Sequence, residues 1–260
     1  MMKSDDFTYC ARLARERDYG RYLAALAARG SDRAALLVLL AFNDELGKIR
    51  EVVSEPALGD IRLAWWRDIL AGEGANPEGS HPVARALMDV RRHQNLDETA
   101  LQAMIDGRTR DMDPAAFDSV EELEKYGQDT AGALALASLQ VLKVTDDTST
   151  IAATDIAKAW ALLGVLRALP YHERAGRRVL TKRVVFGDIL DRADDLLISA
   201  RGRMRGVSRR AFPTLLMARL CDDYLKRFRA ANGNPYKTSL EFAPLTPIWR
   251  VLSGRLTGRY

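Results

Sequence analysis

The stretch RAALLVLLAFNDELGKIREVVSEPALGDIRLAWWRDIL (33–70) limits what this chain can fold into more than any other. Leu36, Leu39, Leu40, Ile49, Val52 and Val53 recur at helical spacing, and polar residues gather between 43 and 51. That pattern predicts one long helix, buried at its start and carrying a polar face further on. Pro56 and Gly59 break it. A second helix is expected next, with Leu58, Ile61, Trp65 and Ile69 on one stripe and Arg62, Arg67 and Asp68 off it. Two helices joined at a Ser54-Glu55-Pro56 corner form a hairpin around which other helices must pack.

Elsewhere glycine and proline fall between helical blocks, and no segment alternates like a strand. Residues 5–29 read as a helix, with Gly30-Ser31-Asp32 as punctuation and N-cap for the hairpin. A loop is expected over 72–80, then short helices at 82–92 and 97–110. Ser119 and Glu122 form a capping box that opens a helix carrying Leu123, Tyr126, Thr130, Ala133, Ala137 and Val141 on one face. Residues 145–150 read as a polar turn. Asp155 then reads as the cap of a helix bearing Trp160, Leu163 and Leu166, which Pro170 is expected to end. A basic connector (173–183), a helix near 188–200, an arginine-rich turn (201–210) and a last long helix follow. The tail, with Pro235, Pro244, Pro247 and Trp249, reads as an arm folded back. No repeat or domain boundary interrupts this, so residues 1–260 read as a single all-α domain.

Between residues 167 and 229 there are sixteen Lys or Arg against seven Asp or Glu, a far larger bias than the net charge of +4 over the whole chain. Such asymmetry suits an anionic partner, with a solvated basic face as the plainer alternative. The arginine cluster at 201–210, with Arg203 and Arg205, lacks the interleaved aromatics of a nucleic-acid platform, so nucleic acid is set aside. Anionic lipid suits it better. Cys10 and Cys221 form no CxxC pair and read as small buried hydrophobes in a reducing compartment. No uncharged apolar run approaches a membrane span. The expected location is cytoplasmic, or peripheral on the inner face of a membrane.

The hairpin, with Ala41-Phe42 on its first helix and Trp66 on its second, resembles the first signature of the squalene/phytoene synthase superfamily. YGQDTAGALALASLQVL (126–142) and AKAWALLGVLRALPYHERAGRRVL (157–180) are similar to its later helices. The resemblance implies an isoprenoid-synthase-like helical bundle around a central cavity. In active members each signature carries aspartates one helical turn apart, because hard Mg²⁺ ions need oxygen ligands to bridge a substrate diphosphate. Here the first motif's positions fall on Gly47, Lys48 and Glu51, and the second's on Ala168 and His172. Lys48 beside a divalent ion would be repelled by roughly 8 kcal/mol at 4 Å and an effective dielectric near 20.

Asn43-Asp44-Glu45-Leu46, Ser54-Glu55, Gly59, Arg62, Trp65-Trp66 and Leu166-Arg167-Ala168-Leu169-Pro170-Tyr171-His172 resemble a non-catalytic branch of the superfamily. That branch includes a mitochondrial assembly factor for respiratory complex I (NADH:ubiquinone oxidoreductase). The resemblance implies an adaptor that binds a protein partner in membrane-complex biogenesis, or an isoprenoid or anionic lipid. No metal or other cofactor is expected. Asn43, Glu45, Glu51, Arg62, Arg167, Tyr171 and His172 are the candidates for its polar centre. Lys48, Arg177, Arg178, Arg203 and Arg205 are the candidates for phosphate or lipid headgroups. The alternative is a Mg²⁺-dependent enzyme joining two prenyl diphosphates head to head. Thr181-Lys182, where Leu-Pro is usual, leaves the next loop open.

Overall fold

The computed structural model describes residues 4–72, 81–94, 96–237 and 245–260. The expected loop at 72–80 and Pro244 lie almost wholly outside them. In chain order the helices are α1 (Ser4–Arg17), α2 (Tyr19–Ala25), α3 (Gly30–Gly47), α4 (Ile49–Val52), α5 (Pro56–Ala71), α6 (Pro82–Gln94) and α7 (Glu98–Asp106). They continue with α8 (Val120–Gly127), α9 (Ala133–Val141), α10 (Asp147–Arg174), α11 (Phe186–Gly202), α12 (Phe212–Leu215), α13 (Met217–Ala230) and α14 (Thr246–Thr257). Among the described residues there is no strand, only an isolated bridge between Phe117 and Leu180.

Helix α3 is buried at every residue from Ala35 to Phe42, so it is wrapped rather than laid on a surface. Helices α1, α6 and α9 surround it, and α10 is enclosed in turn by α8, α11 and α13. By length and composition α10 is apolar enough to cross a membrane, yet 56% of its most apolar window is buried within the protein. Glu124 ties α8 to its neighbours, accepting bonds from Lys158 at 3.0 Å and from Arg192 at 2.5 and 2.9 Å.

The hairpin forms, with a short turn, α4, before the corner and Pro56 opening α5. Its second helix is rotated from the expected stripe. Gly59, Leu63, Trp66, Ile69 and Leu70 are buried, whereas Leu58, Ile61 and Trp65 stay exposed. Large apolar residues lie all round α5, so spacing alone could not select its face. Packing selects it, because Trp66 meets Phe42 edge-on at 5.0 Å and Gly59 makes room for Met112.

Several boundaries also move. Gly30, at φ +54, already opens α3, and Asp32 is not its cap. The segment read as a polar turn is the start of α10, where Asp146 accepts from the Ser149 N–H at 2.7 Å. Asp155 lies buried inside that helix, paired with Lys158 at 3.1 Å and accepting from the Ser199 hydroxyl at 2.8 Å. Pro170 does not end α10, which runs on to Arg174. One missing N–H is tolerated here because Leu166 and Leu169 are held in the core. Ser119 caps α8 as expected, accepting from the Glu122 N–H at 3.1 Å. That helix then widens into a π-turn, Gln128–Gly132, before α9. The tail does fold back: Arg250 pairs with Asp223, and the Tyr260 hydroxyl donates to Ala200 O at 3.0 Å.

Candidate functional site

A cleft of about 600 Å³ opens between α3, α10, the turn after α7 and the loop after α10. Asn43, Gly47, Arg50 and Glu51 come from the end of α3 and from α4. Arg108, Arg110 and Asp111 come from the turn after α7, and His172, Arg177 and Arg178 from the end of α10 and beyond. Past Arg21, Ala131 and Trp160 the wall becomes apolar, with Leu36, Leu40, Leu134, Ile156 and Met217 lining a narrow recess. The space is therefore amphiphilic, cationic at its mouth and greasy at its end.

At the centre lies a network that spacing does not reveal. Arg108 donates to Asn43 Oδ1 at 3.2 Å, to the Tyr126 hydroxyl at 3.2 Å and to Asp111 Oδ2 at 3.4 Å. The Tyr126 hydroxyl donates to Asp111 Oδ1 at 2.6 Å. Burial raises the Tyr126 pKa above that of an ordinary phenol, so it remains a donor. Burial works against the charge of Arg108, but Tyr126 and Asp111 outweigh it and keep the guanidinium charged. Its Nη2 lies 3.5 Å from where a Cβ on Gly47 would stand. An arginine thus fills the space beside Gly47.

The expected polar residues are only partly gathered here. Asn43 joins the network, and Glu51 and His172 line the cleft. Arg167 lies near the adjoining cleft and stacks on the rings of Trp160 and Tyr224, at 4.3 and 4.5 Å, with its Nε unbonded. Glu45 faces the opposite side of α3, accepting from Lys48 at 2.6 Å and lying 3.4 Å from His81. Burial would raise the Glu45 carboxyl, but His81 and Lys48 overcome it and hold it below the usual range. Arg62 is exposed on α5, and Tyr171 is 56% exposed, so neither belongs to the centre. Tyr171 precedes His172 by one residue, so it points about 100° away around α10, toward solvent.

Among the headgroup candidates, Arg177 and Arg178 line the cleft while Lys48 turns to Glu45. Arg203 is used internally, donating to Ser199 O and Oγ at 2.7 Å, and Arg205 is exposed at another cleft. The loop left open by Thr181-Lys182 is pinned. Thr181 N donates to Phe117 O at 2.9 Å, and its hydroxyl donates to Asp118 at 2.7 Å.

These residues do not fit magnesium. Six arginines line the main cleft against Glu51, Asp111 and Asp113, and Asp111 is engaged by Arg108 and Tyr126. Among the described residues no three His, Cys, Asp or Glu side chains are placed to share a metal ion. Asp44, one turn before Lys48, has its carboxyl pKa raised by burial more than Arg17 and Lys48 lower it, and its Oδ2 is unbonded. The arrangement suits an anion instead.

His172 supplies a pH dependence. Burial first, then the charge of Arg177, depresses its pKa, against weaker pulls from Glu51 and Asp111. The unfolded chain therefore takes up this proton at a higher pH than the folded one. Stability should fall as pH drops below about 6.5, the unperturbed value for histidine. Urea unfolding on either side of that pH should show the loss, and His172→Gln should remove part of it. An identical pH slope in the variant would refute the assignment.

The squalene/phytoene synthase family model matches residues 14–185. The chain is similar to the cattle (Bos taurus) protein named NADH dehydrogenase (ubiquinone) complex I, assembly factor 6, at 30% identity over 90% of this chain and 77% of that one. The mouse (Mus musculus) protein of the same name is 32% identical over the same shares. A crystal structure of a dehydrosqualene synthase in complex with ligand superposes with a TM-score of 0.80 at 17% identity, covering 97% of this chain and 96% of that one. With an isoprenoid-synthase-like helical fold and a family match across most of its length, the chain belongs to the squalene/phytoene synthase family.

Proposed function

We propose that the protein is a non-catalytic member of its family that acts in the assembly of respiratory complex I, NADH:ubiquinone oxidoreductase. In this reading it works at the inner face of a membrane, and its cleft holds an anionic isoprenoid or lipid without metal. The observation that carries the reading is the guanidinium of Arg108 lodged against Gly47, supported by an excess of arginine around the cleft. The names of the cattle and mouse relatives, similar over nearly the whole chain, support the assembly role. Arginine forks would hold a diphosphate or phosphate through charge-assisted hydrogen bonds. Without a carboxylate cluster among the described residues to seat Mg²⁺, the leaving diphosphate of a prenyl transfer would lack a metal partner.

Calorimetry with farnesyl diphosphate in EDTA should give saturable binding that added Mg²⁺ does not strengthen. Release of diphosphate on adding Mg²⁺ would restore the prenyltransferase reading and overturn this one. Deleting the gene should lower complex I content and NADH oxidation in isolated membranes. Unchanged content would remove the assembly role.

A further inference from the structure

We propose that α14 and the arginine turn beside it form a docking face for an anionic lipid bilayer. Helix α14 is apolar on two opposite faces. On its inner face Val251 is buried, Gly254 lets the helix approach Leu216, and Arg250 clamps Asp223. On its outer face stand Leu245, Trp249, Leu252 and Leu256, exposed by 72, 67, 47 and 82%. At about 100° per residue these four fall within roughly 60° of one another, a continuous ridge along the helix. A helix with two apolar faces is normally covered on both, and the described residues leave this ridge in solvent.

The charge beside the ridge selects its occupant. Leu256 lines a second cleft with Arg29, Arg205, Arg209 and Arg210, where Asp32 is the one acidic residue among those described. Arg205, Arg209 and Arg210 are exposed, and Arg210 comes no nearer to Asp32 than 3.9 Å. A convex apolar ridge with a tryptophan, flanked by arginines on flexible stems, matches a bilayer interface: the ridge reaches the acyl boundary while the cations meet anionic headgroups. A protein hot spot would instead place its anchors in a pocket that excludes water. The inference rests on the membrane-side placement proposed above. Its test contains no complex I, so a failure here leaves the assembly role to be judged by gene deletion.

The test is flotation of the full-length protein with vesicles of phosphatidylcholine alone or mixed with phosphatidylglycerol. Binding is expected only with the anionic vesicles, and added salt should weaken it. Two variants, W249S/L252S/L256S and R205Q/R209Q, should each bind about tenfold more weakly or worse. These positions are exposed, and unchanged circular dichroism melts would show that both variants remain folded. Trp249 fluorescence should shift to the blue on the anionic vesicles, and W249F should lose that shift. Absence of binding to anionic vesicles, or binding by either variant as tight as that of the unaltered protein, would overturn the proposal. So would a triple variant that keeps its vesicle affinity and loses only self-association, which would assign the ridge to a protein contact.

Discussion

Replacing Gly107 with alanine should lower folding stability by about 3 kcal/mol, at the upper end of ordinary overpacking costs. Its φ is unexceptional, so backbone strain is not the cause. A Cβ there would lie 1.9 Å from the Asp129 carbonyl oxygen and 2.6 Å from its carbon. Both atoms belong to the backbone of the π-turn, which cannot swing aside as a side chain can. Helix propensity pulls the other way, since Gly→Ala in a helix gains at most about 1 kcal/mol. Sterics therefore decide the sign. For a chain of this size the midpoint of thermal unfolding should drop by roughly 6–12 °C. Gly59 is the internal comparison. Its Cβ would meet Met112 Sδ at 2.0 Å, just as close, but a methionine side chain can rotate away. Gly59→Ala should cost about 1 kcal/mol or less. Equal melting of the two variants would mean that α7 and the π-turn do not meet as described.

The helical class and the hairpin were legible because Leu36, Leu39 and Leu40 repeat with a period only a helix satisfies. The buried face of α5 was not. Trp65 and Trp66 are adjacent, and a shift of about 100° exchanges which is inside. The edge-on contact of Trp66 with Phe42 settles it, since His81 lies against both rings. Pro170 misled for a related reason, since local backbone preference yields where neighbouring residues are locked in a core. In the site, Asn43 and His172 were legible from their place on the two signature helices. Arg108 was not, because it follows α7 in a turn without periodicity and its Asn43 partner is 65 residues away. The one local trace was Arg108 and Asp111 at i,i+3 spacing. Nothing along the chain announces that Tyr126, read as an apolar point on a helix face, closes that network.

Replacing Arg108 with methionine should therefore remove more than any other change at the cleft. Methionine keeps the aliphatic bulk of the stem, so the comparison isolates the guanidinium. Asp111 would lose its cation and Asn43 its donor, in a site where both are largely shielded. Breaking a buried pair from one side costs about 3–5 kcal/mol, and the residual solvent contact of this one places it near the lower bound. Arg108→Met/Asp111→Asn should recover part of that loss, because the second change removes the stranded charge. Farnesyl diphosphate affinity should not return with stability, since the double variant still lacks the central cation. Arg178→Ala, at the exposed rim, should weaken binding only mildly and leave unfolding unchanged. Urea unfolding and calorimetry on the same four proteins separate the two roles. A single variant that stays stable but no longer binds makes Arg108 a ligand group alone, and one that loses stability yet binds normally makes it structural. Loss of both, with only stability rescued, is the outcome expected of an arginine that both holds the cleft together and supplies its central cation.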